Sequence, residues 1–153
     1  MRVLKDQRGA AAVEFALAVL LFGTALMAII EFSRIMLLWG TASEATRIAA
    51  RIGSVCSIGS ATEAHARDRV GGLVETSGQV NLAGRNNWLV LGYAPAGCTE
   101  ASCTMVTARL TGLAVQLDIP GFRPTISLPD FMATTPREAM SSVVSNTTNA
   151  ACG

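Results

Sequence analysis

Charge, and the residues on which chemistry is usually built, are scarce in this chain of 153 residues. Charged side chains make up 15% of it, against about a quarter in an ordinary soluble domain. It has one histidine, His65, and one lysine, Lys5. Because Lys5 sits in the first nine residues, the rest of the chain has no lysine for a Schiff base or a phosphate loop, and no Gly-x-x-x-x-Gly-Lys occurs. Gly-x-Ser-x-Gly and His-Glu-x-x-His are also missing. His65 falls on the charged side of a predicted helix, where a solvated imidazole is ordinary, and it has no companions from which to assemble a catalytic cluster. The chain therefore reads as a non-enzyme that needs no cofactor. With a net charge of +1 and no clustered basic face, nucleic acid is excluded as a partner as well.

What the chain has in abundance is apolar sequence at its start. From Ala10 to Ile30 only Glu14 is charged, and about twenty apolar residues suffice for a helix to cross a bilayer. Ahead of that run Arg2, Lys5 and Arg8 face only Asp6, giving the first nine residues +2. Positive flanks stay cytoplasmic, which puts the head inside and everything after the span outside. A cleaved secretory signal shares this outline, but its core runs only about 7 to 15 residues and ends in an Ala-x-Ala-like site. Here the run is longer, and Ala16-Leu17-Ala18 lies within it, so a retained helix is expected.

Helical patterning continues past the apolar run. Ile35, Leu38, Ala42, Ala45, Ala49 and Ile52 recur in steps of three and four, with Glu31, Arg34, Glu44, Arg47 and Arg51 placed off that stripe. The spacing predicts one helix from about Ala10 to about Ile52, ending near Gly53. At 1.5 Å per residue such a rod is about 65 Å long, roughly twice a hydrocarbon core, so its second half stands outside the membrane. Trp39 marks either the outer interface or a packing site in the exterior domain.

The organisation predicted is a basic leader (1–9), a transmembrane and extended helix (10–52) and an exterior α+β domain (53–153). Ser60-Ala61-Thr62-Glu63 has capping-box spacing and opens a second helix, Ala61 to about Glu75, weakened by Gly71-Gly72 and carrying Arg67, Asp68 and Arg69 to solvent. Beyond Gly78, runs rich in Val, Leu, Ile and Thr predict strands at Trp88–Tyr93, Thr104–Leu110 and Leu113–Ile119, the last two joined by a hairpin at Thr111-Gly112. Thr125–Leu128 is an edge-strand candidate among the prolines, and the tail from Glu138 reads as fraying unless tied down. The fold class is α+β with a small antiparallel sheet.

Cys56, Cys98, Cys103 and Cys152 all fall in the part assigned to the outside. An even number in an oxidising compartment reads as two disulfides with three pairings open. We expect Cys98 with Cys103, closing a short loop, and Cys56 with Cys152, tying the C-terminal segment to the base of the first helix. A metal site is the poorer reading, because the spacing is Cys-x4-Cys with no second close pair. Asn146-Thr147-Thr148 matches a glycosylation acceptor, a short pattern that commonly arises by accident.

The opening stretch carries a resemblance. Gly9, then Ala10 to Val13, then Glu14 and Phe15 at the head of an apolar helix, behind a basic leader, resembles the type IV pilin-like cleavage signature. More narrowly, Arg8-Gly9-Ala10-Ala11-Ala12-Val13-Glu14-Phe15-Ala16-Leu17, with Ile30-Glu31-Phe32-Ser33-Arg34 and Ala45-Thr46-Arg47-Ile48-Ala49-Ala50-Arg51, resembles the TadE-like proteins of the tight-adherence (Flp) pilus assembly system. The resemblance implies cleavage by a prepilin peptidase between Gly9 and Ala10 and helix packing through Glu14 and Phe15. It implies pilin-like or assembly-platform partners. It also implies residence in the bacterial inner membrane as a single-pass protein, with the N-terminus cytoplasmic and the C-terminal domain periplasmic, in some cases with the pilus itself. Its role would be that of a minor pseudopilin. Leu20 stands where such helices often carry proline, so a kink expected in relatives is missing. The contrasting reading is a single-span envelope binding module, in which a disulfide-stapled exterior domain recognises a ligand and the helix is only a tether.

Overall fold

The computed structural model describes residues 8–78, 82, 87–119 and 121–152. Arg2, Lys5 and Asp6 of the leader, and Pro120, lie outside the described residues. The architecture is α+β: a long N-terminal apolar helix, a shorter second helix and small antiparallel sheets. The first helix, α1, spans Arg8–Val55, beginning two residues before and ending three residues after the bounds that periodicity suggested. Gly53 does not stop it. A Cβ added there would lie 2.8 Å from Val106 Cγ1 and 3.3 Å from Leu91 Cδ1, so glycine serves a close approach of helix to sheet.

The chain divides into two units, one ending at Ser33 and the other beginning at Arg34, each contributed to by α1. In the first unit the helix is almost bare. From Gly9 to Ile30 every side chain is exposed except at Gly23, which is half-exposed, and the large apolar ones stand 44 to 68% exposed from Val19 to Ile30. The polar side chains are handled locally. Thr24 Oγ1 donates to the Leu21 carbonyl at 2.9 Å and Ser33 Oγ to the Ile29 carbonyl at 2.8 Å. Such back-bonding leaves no hydroxyl unsatisfied where water is absent. Length and composition make α1 the one candidate membrane span among the described residues.

In the second unit the predicted stripe is the packing face: Leu38, Ala42, Ala45 and Ala49 are fully buried, and Ile52 nearly so. The alanines let a sheet approach closely. That sheet has the order β1-β2-β5, with β1 Leu89–Ala94, β2 Met105–Leu110 and β5 Phe131–Pro136, all antiparallel. Register stacks Leu89, Leu110 and Phe131 in one row and Leu91, Ala108 and Ala133 in the next. These inward residues alternate with exposed Val90, Met105 and Met132 on the outer face, the period-2 pattern of a half-buried sheet. Trp39 packs in this unit, edge-on to Phe131 with ring centroids 5.1 Å apart.

The second helix, α2, covers Ser60–Gly78 and presents Ala66, Val70 and Val74, all fully buried, at steps of four. The glycine pair does not end the helix; a Cβ added at Gly71 would make an ordinary contact with Trp88 at 3.8 Å. Arg67 is not left to solvent. It pairs with Glu63 at 2.9 Å, and its Nε donates to the Leu89 carbonyl at 3.2 Å, tying α2 to β1.

Two strand expectations are corrected. The Thr111-Gly112 turn does not fold β2 into a hairpin with β3 (Ala114–Gln116), which pairs instead with β4 (Thr125–Ser127). Both edges of β2 are occupied by β1 and β5, so no edge remains for β3, and Gly112 at φ 69° turns the chain away. The region after Pro129 also contains β5, then β6 (Val143–Val144) and β7 (Thr147–Thr148). Ser145 and Asn146, at φ 51° and 62°, form the two-residue turn between the last two, where positive φ at both positions matches strand twist. The tail is held to the end of α1. Glu138 and Ser141 donate their backbone N–H groups to the Ser54 and Val55 carbonyls at 3.0 and 2.7 Å, and Ser57 and Ser142 exchange N–H to hydroxyl bonds at 3.0 and 3.1 Å. These satisfy carbonyls that a helix end leaves without intrahelical partners.

The buried Tyr93 hydroxyl has no hydrogen-bond partner among the described residues. Burial first, and the charge of Glu63 second, raise its pKa above the usual value near 10.

Candidate functional site

The candidate site is the first turn and a half of α1. The Gly9–Ala10 bond lies within α1 as described, Arg8–Val55. Around Gly9 an added Cβ would meet nothing within 4 Å. Among the described residues, packing does not require the glycine.

Glu14 follows Ala10 by four residues on the same helix. Residues so spaced lie one above the other, with Cβ atoms about 5 to 6 Å apart. A positive charge at the nitrogen of Ala10 would thus stand within one turn of the Glu14 carboxylate. Glu14 is exposed and makes no hydrogen bond or ion pair with the described residues. Phe15 is 70% exposed beside it. Where the helix surface faces hydrocarbon, an ionised carboxylate near the centre costs roughly 2.5 to 3.5 kcal/mol on insertion scales, and less toward the interface. The arrangement is an acid and an aromatic ring offered on an apolar rod, with nothing among the described residues to receive them. Leu20, 61% exposed, lies within uninterrupted α1, as the absence of proline there requires.

Sequence periodicity missed one carboxylate. Glu31, placed off the stripe, is only 8% exposed. It precedes Ile35 by four residues and Leu38 by seven, so the sequence places it at the helical phase of the stripe. The signal was present in the spacing, but charge argued against it.

The cysteines are paired as Cys56–Cys152, with Cα atoms 5.6 Å apart, and Cys98–Cys103, with Cα atoms 5.0 Å apart. The first bond closes the α1 base onto the C-terminal segment. The second closes a turn in which Cys103 N–H donates to the Thr99 carbonyl at 2.9 Å. Among the described residues no group of three or more His, Cys, Asp or Glu side chains is arranged to hold a metal ion.

With this geometry in view, the comparisons with known proteins bear on one stretch. The family model of the TadE-like protein matches residues 9–51, the span that contains all but Arg8 of the three blocks read from the sequence. No curated protein and no solved structure matches the chain. The TadE-like family is a pilus assembly component and not a known enzyme family. The match fits a membrane protein of the Tad pilus system that carries a disulfide-bearing domain.

Proposed function

We propose that this chain is a membrane-anchored minor pseudopilin-like protein that serves assembly of tight-adherence (Flp) type IV pili through helix packing and protein contacts. The observation that carries the proposal is the junction itself: Gly9, Ala10, Glu14 and Phe15 in register on a helix whose large apolar side chains from Val13 to Ile30 are exposed. In this reading a prepilin peptidase cuts after Gly9, removing Arg2, Lys5 and Arg8 and leaving Ala10 with a cationic amine at the membrane face. The Glu14 carboxylate then pairs with that amine or with a neighbouring subunit's. A desolvated carboxylate without a partner is strongly disfavoured, so the pairing selects the register in which helices dock. The leader faces the cytoplasm, residues 10–52 span the inner membrane and extend beyond it, and residues 53–153 form the periplasmic domain. Pilin-like or assembly-platform helices are the partners.

Mass spectrometry of protein extracted from membranes that contain the peptidase tests the first step, with Ala10 expected at the N-terminus. Intact Met1 under those conditions would remove processing from the proposal. Glu14→Ala is expected to insert normally and to abolish or sharply reduce piliation; normal piliation would remove the role assigned to the carboxylate. Cross-linking from positions in 10–30 should capture pilin-like or platform proteins, and a tether that only holds a binding domain would capture none.

A further inference from the structure

The second unit contains a cavity of about 190 Å3 where the end of α1, the start of α2 and the C-terminal segment meet. Its α1 wall is Ile48, Arg51, Ile52 and Val55, spaced as one helix face, and α2 contributes His65 and Arg69, one turn apart. Ala150 and Ala151 close the third side, held beside α1 by the neighbouring Cys56–Cys152 bond.

The charge of this cavity is unusual within its own unit. Arg47, Arg67, Arg109 and Arg123 each pair with a carboxylate, and Arg137 donates to the Glu100 carbonyl at 2.6 Å. Arg34 is engaged as well. Arg51 and Arg69 are the described arginines of the unit whose side chains make no hydrogen bond or ion pair with described residues, and both line the same cavity with the chain's single histidine. Two unpaired guanidiniums around an apolar floor recruit an anion whose body is apolar. A planar fork of donors suits a carboxylate in particular. The volume is below the roughly 300 Å3 at which small-molecule sites begin, which limits the occupant to a group the size of one residue.

We propose that this cavity is a carboxylate-recognition pocket for a partner polypeptide. It takes one apolar side chain against Ile48, Ile52 and Val55, with the adjoining carboxylate held by Arg51 and Arg69. The inference deepens the reading of this unit as a protein-contact module and rests on it. The carboxylate has two sources in a polypeptide, a free C-terminus or an acidic side chain next to an apolar one.

Because His65 is the chain's only histidine, its imidazole signals report on the cavity without ambiguity. The full chain in detergent micelles is titrated by NMR with four probes: acetyl-Ala-Leu with a free carboxylate, the same dipeptide amidated, acetyl-Glu-Leu amide, and inorganic phosphate. Saturable His65 shifts are expected with one or both carboxylate peptides, and which of them binds more tightly identifies the source. The amidated control should bind at least about tenfold more weakly, since it lacks the charge-assisted bonds. Arg51→Gln and Arg69→Gln should each weaken carboxylate binding by about tenfold, with the near-ultraviolet circular dichroism of the fold unchanged. Neither carboxylate peptide binding more tightly than acetyl-Ala-Leu amide, no saturable shift with any peptide, or phosphate binding as tightly as the peptides would overturn the pocket. None of those results touches N-terminal processing or the Glu14 phenotype, so this inference and the proposed function fail separately.

Discussion

Between Val13 and Phe32 the large apolar side chains of α1 stand 44 to 70% exposed, while Leu38, Leu89, Leu110 and Leu113 in the second unit are at most 1% exposed. The same residue types, on what is in part the same helix, are thus prepared for different surroundings. The second unit stabilises itself. It buries its apolar stripe under a sheet, satisfies its helix end with the tail's backbone, and carries both disulfides. In the first unit the described residues from Gly9 to Ile30 present an apolar helical surface, as a helix facing lipid or other helices would. The exposed apolar segment and the packed core are therefore separated along the chain, which makes each open to perturbation without the other.

The strongest way to break the contrast is to remove the long disulfide. Cys56 and Cys152 are 96 residues apart in sequence, and the chain-entropy model assigns a loop of that length about 4.7 kcal/mol. The Cys56→Ser/Cys152→Ser variant should lower the unfolding free energy of the second unit by an amount approaching this. It would be measured by tryptophan fluorescence of the full chain in detergent, while far-ultraviolet circular dichroism retains the signal of the membrane helix. Loss of both signals together would show that the units are not separable.

A matched pair of truncations sharpens the comparison. Leu110→Ala removes a fully buried side chain and should cost about 2 to 5 kcal/mol in the same denaturation experiment. Leu21→Ala, at 68% exposure, should leave that transition within about 0.5 kcal/mol. Gly53→Ala tests how closely helix and sheet approach. The new methyl would press on Val106, and a cost of about 1 to 3 kcal/mol is expected from overpacking. A neutral or stabilising result would mean that Val106 yields.

The smallest effect is a gain. Tyr93→Phe removes a buried hydroxyl without a hydrogen-bond partner and should stabilise the second unit by about 1 kcal/mol at neutral pH. Since the folded-state pKa is raised above its usual value near 10, the unfolded chain ionises first. The stability linked to the neutral phenol is intact below pH 10 and is lost as pH rises through the folded value. The chain has one tyrosine, so tyrosinate absorbance follows that titration directly. The phenylalanine variant should lack this alkaline loss, and an identical alkaline profile would show that Tyr93 is not its source.

Much of this was legible in the residues, for reasons that differ from element to element. The apolar run and the stripe through Leu38, Ala42, Ala45 and Ala49 are local periodicities, and a helix expresses them whatever else the chain does. Gly71-Gly72 and Gly53 read as breakers because propensity is local, yet both lie inside helices where Trp88 or Val106 approaches. β5 went unrecognised because Phe131-Met132-Ala133-Thr134-Thr135 sits between Pro129 and Pro136 and carries only short side chains after Met132. Phe131, Thr134 and Thr135 suit a strand, but it is pairing with the edge of β2 that places them in one. The Arg51, His65 and Arg69 cavity had no sequence signal at all, since its walls come from segments up to about a hundred residues apart.

The junction from Gly9 to Phe15 was determined by sequence alone. Its spacing is covalent and helical, so four residues between Ala10 and Glu14 imply one turn without reference to anything distant. Only the tertiary structure decided which edges of β2 are filled, that Glu31 is buried, and which described arginines are left without carboxylates around a shared cavity. Those outcomes depend on which surfaces meet across long stretches of chain, and pairwise contact between distant residues leaves no period in the sequence to read.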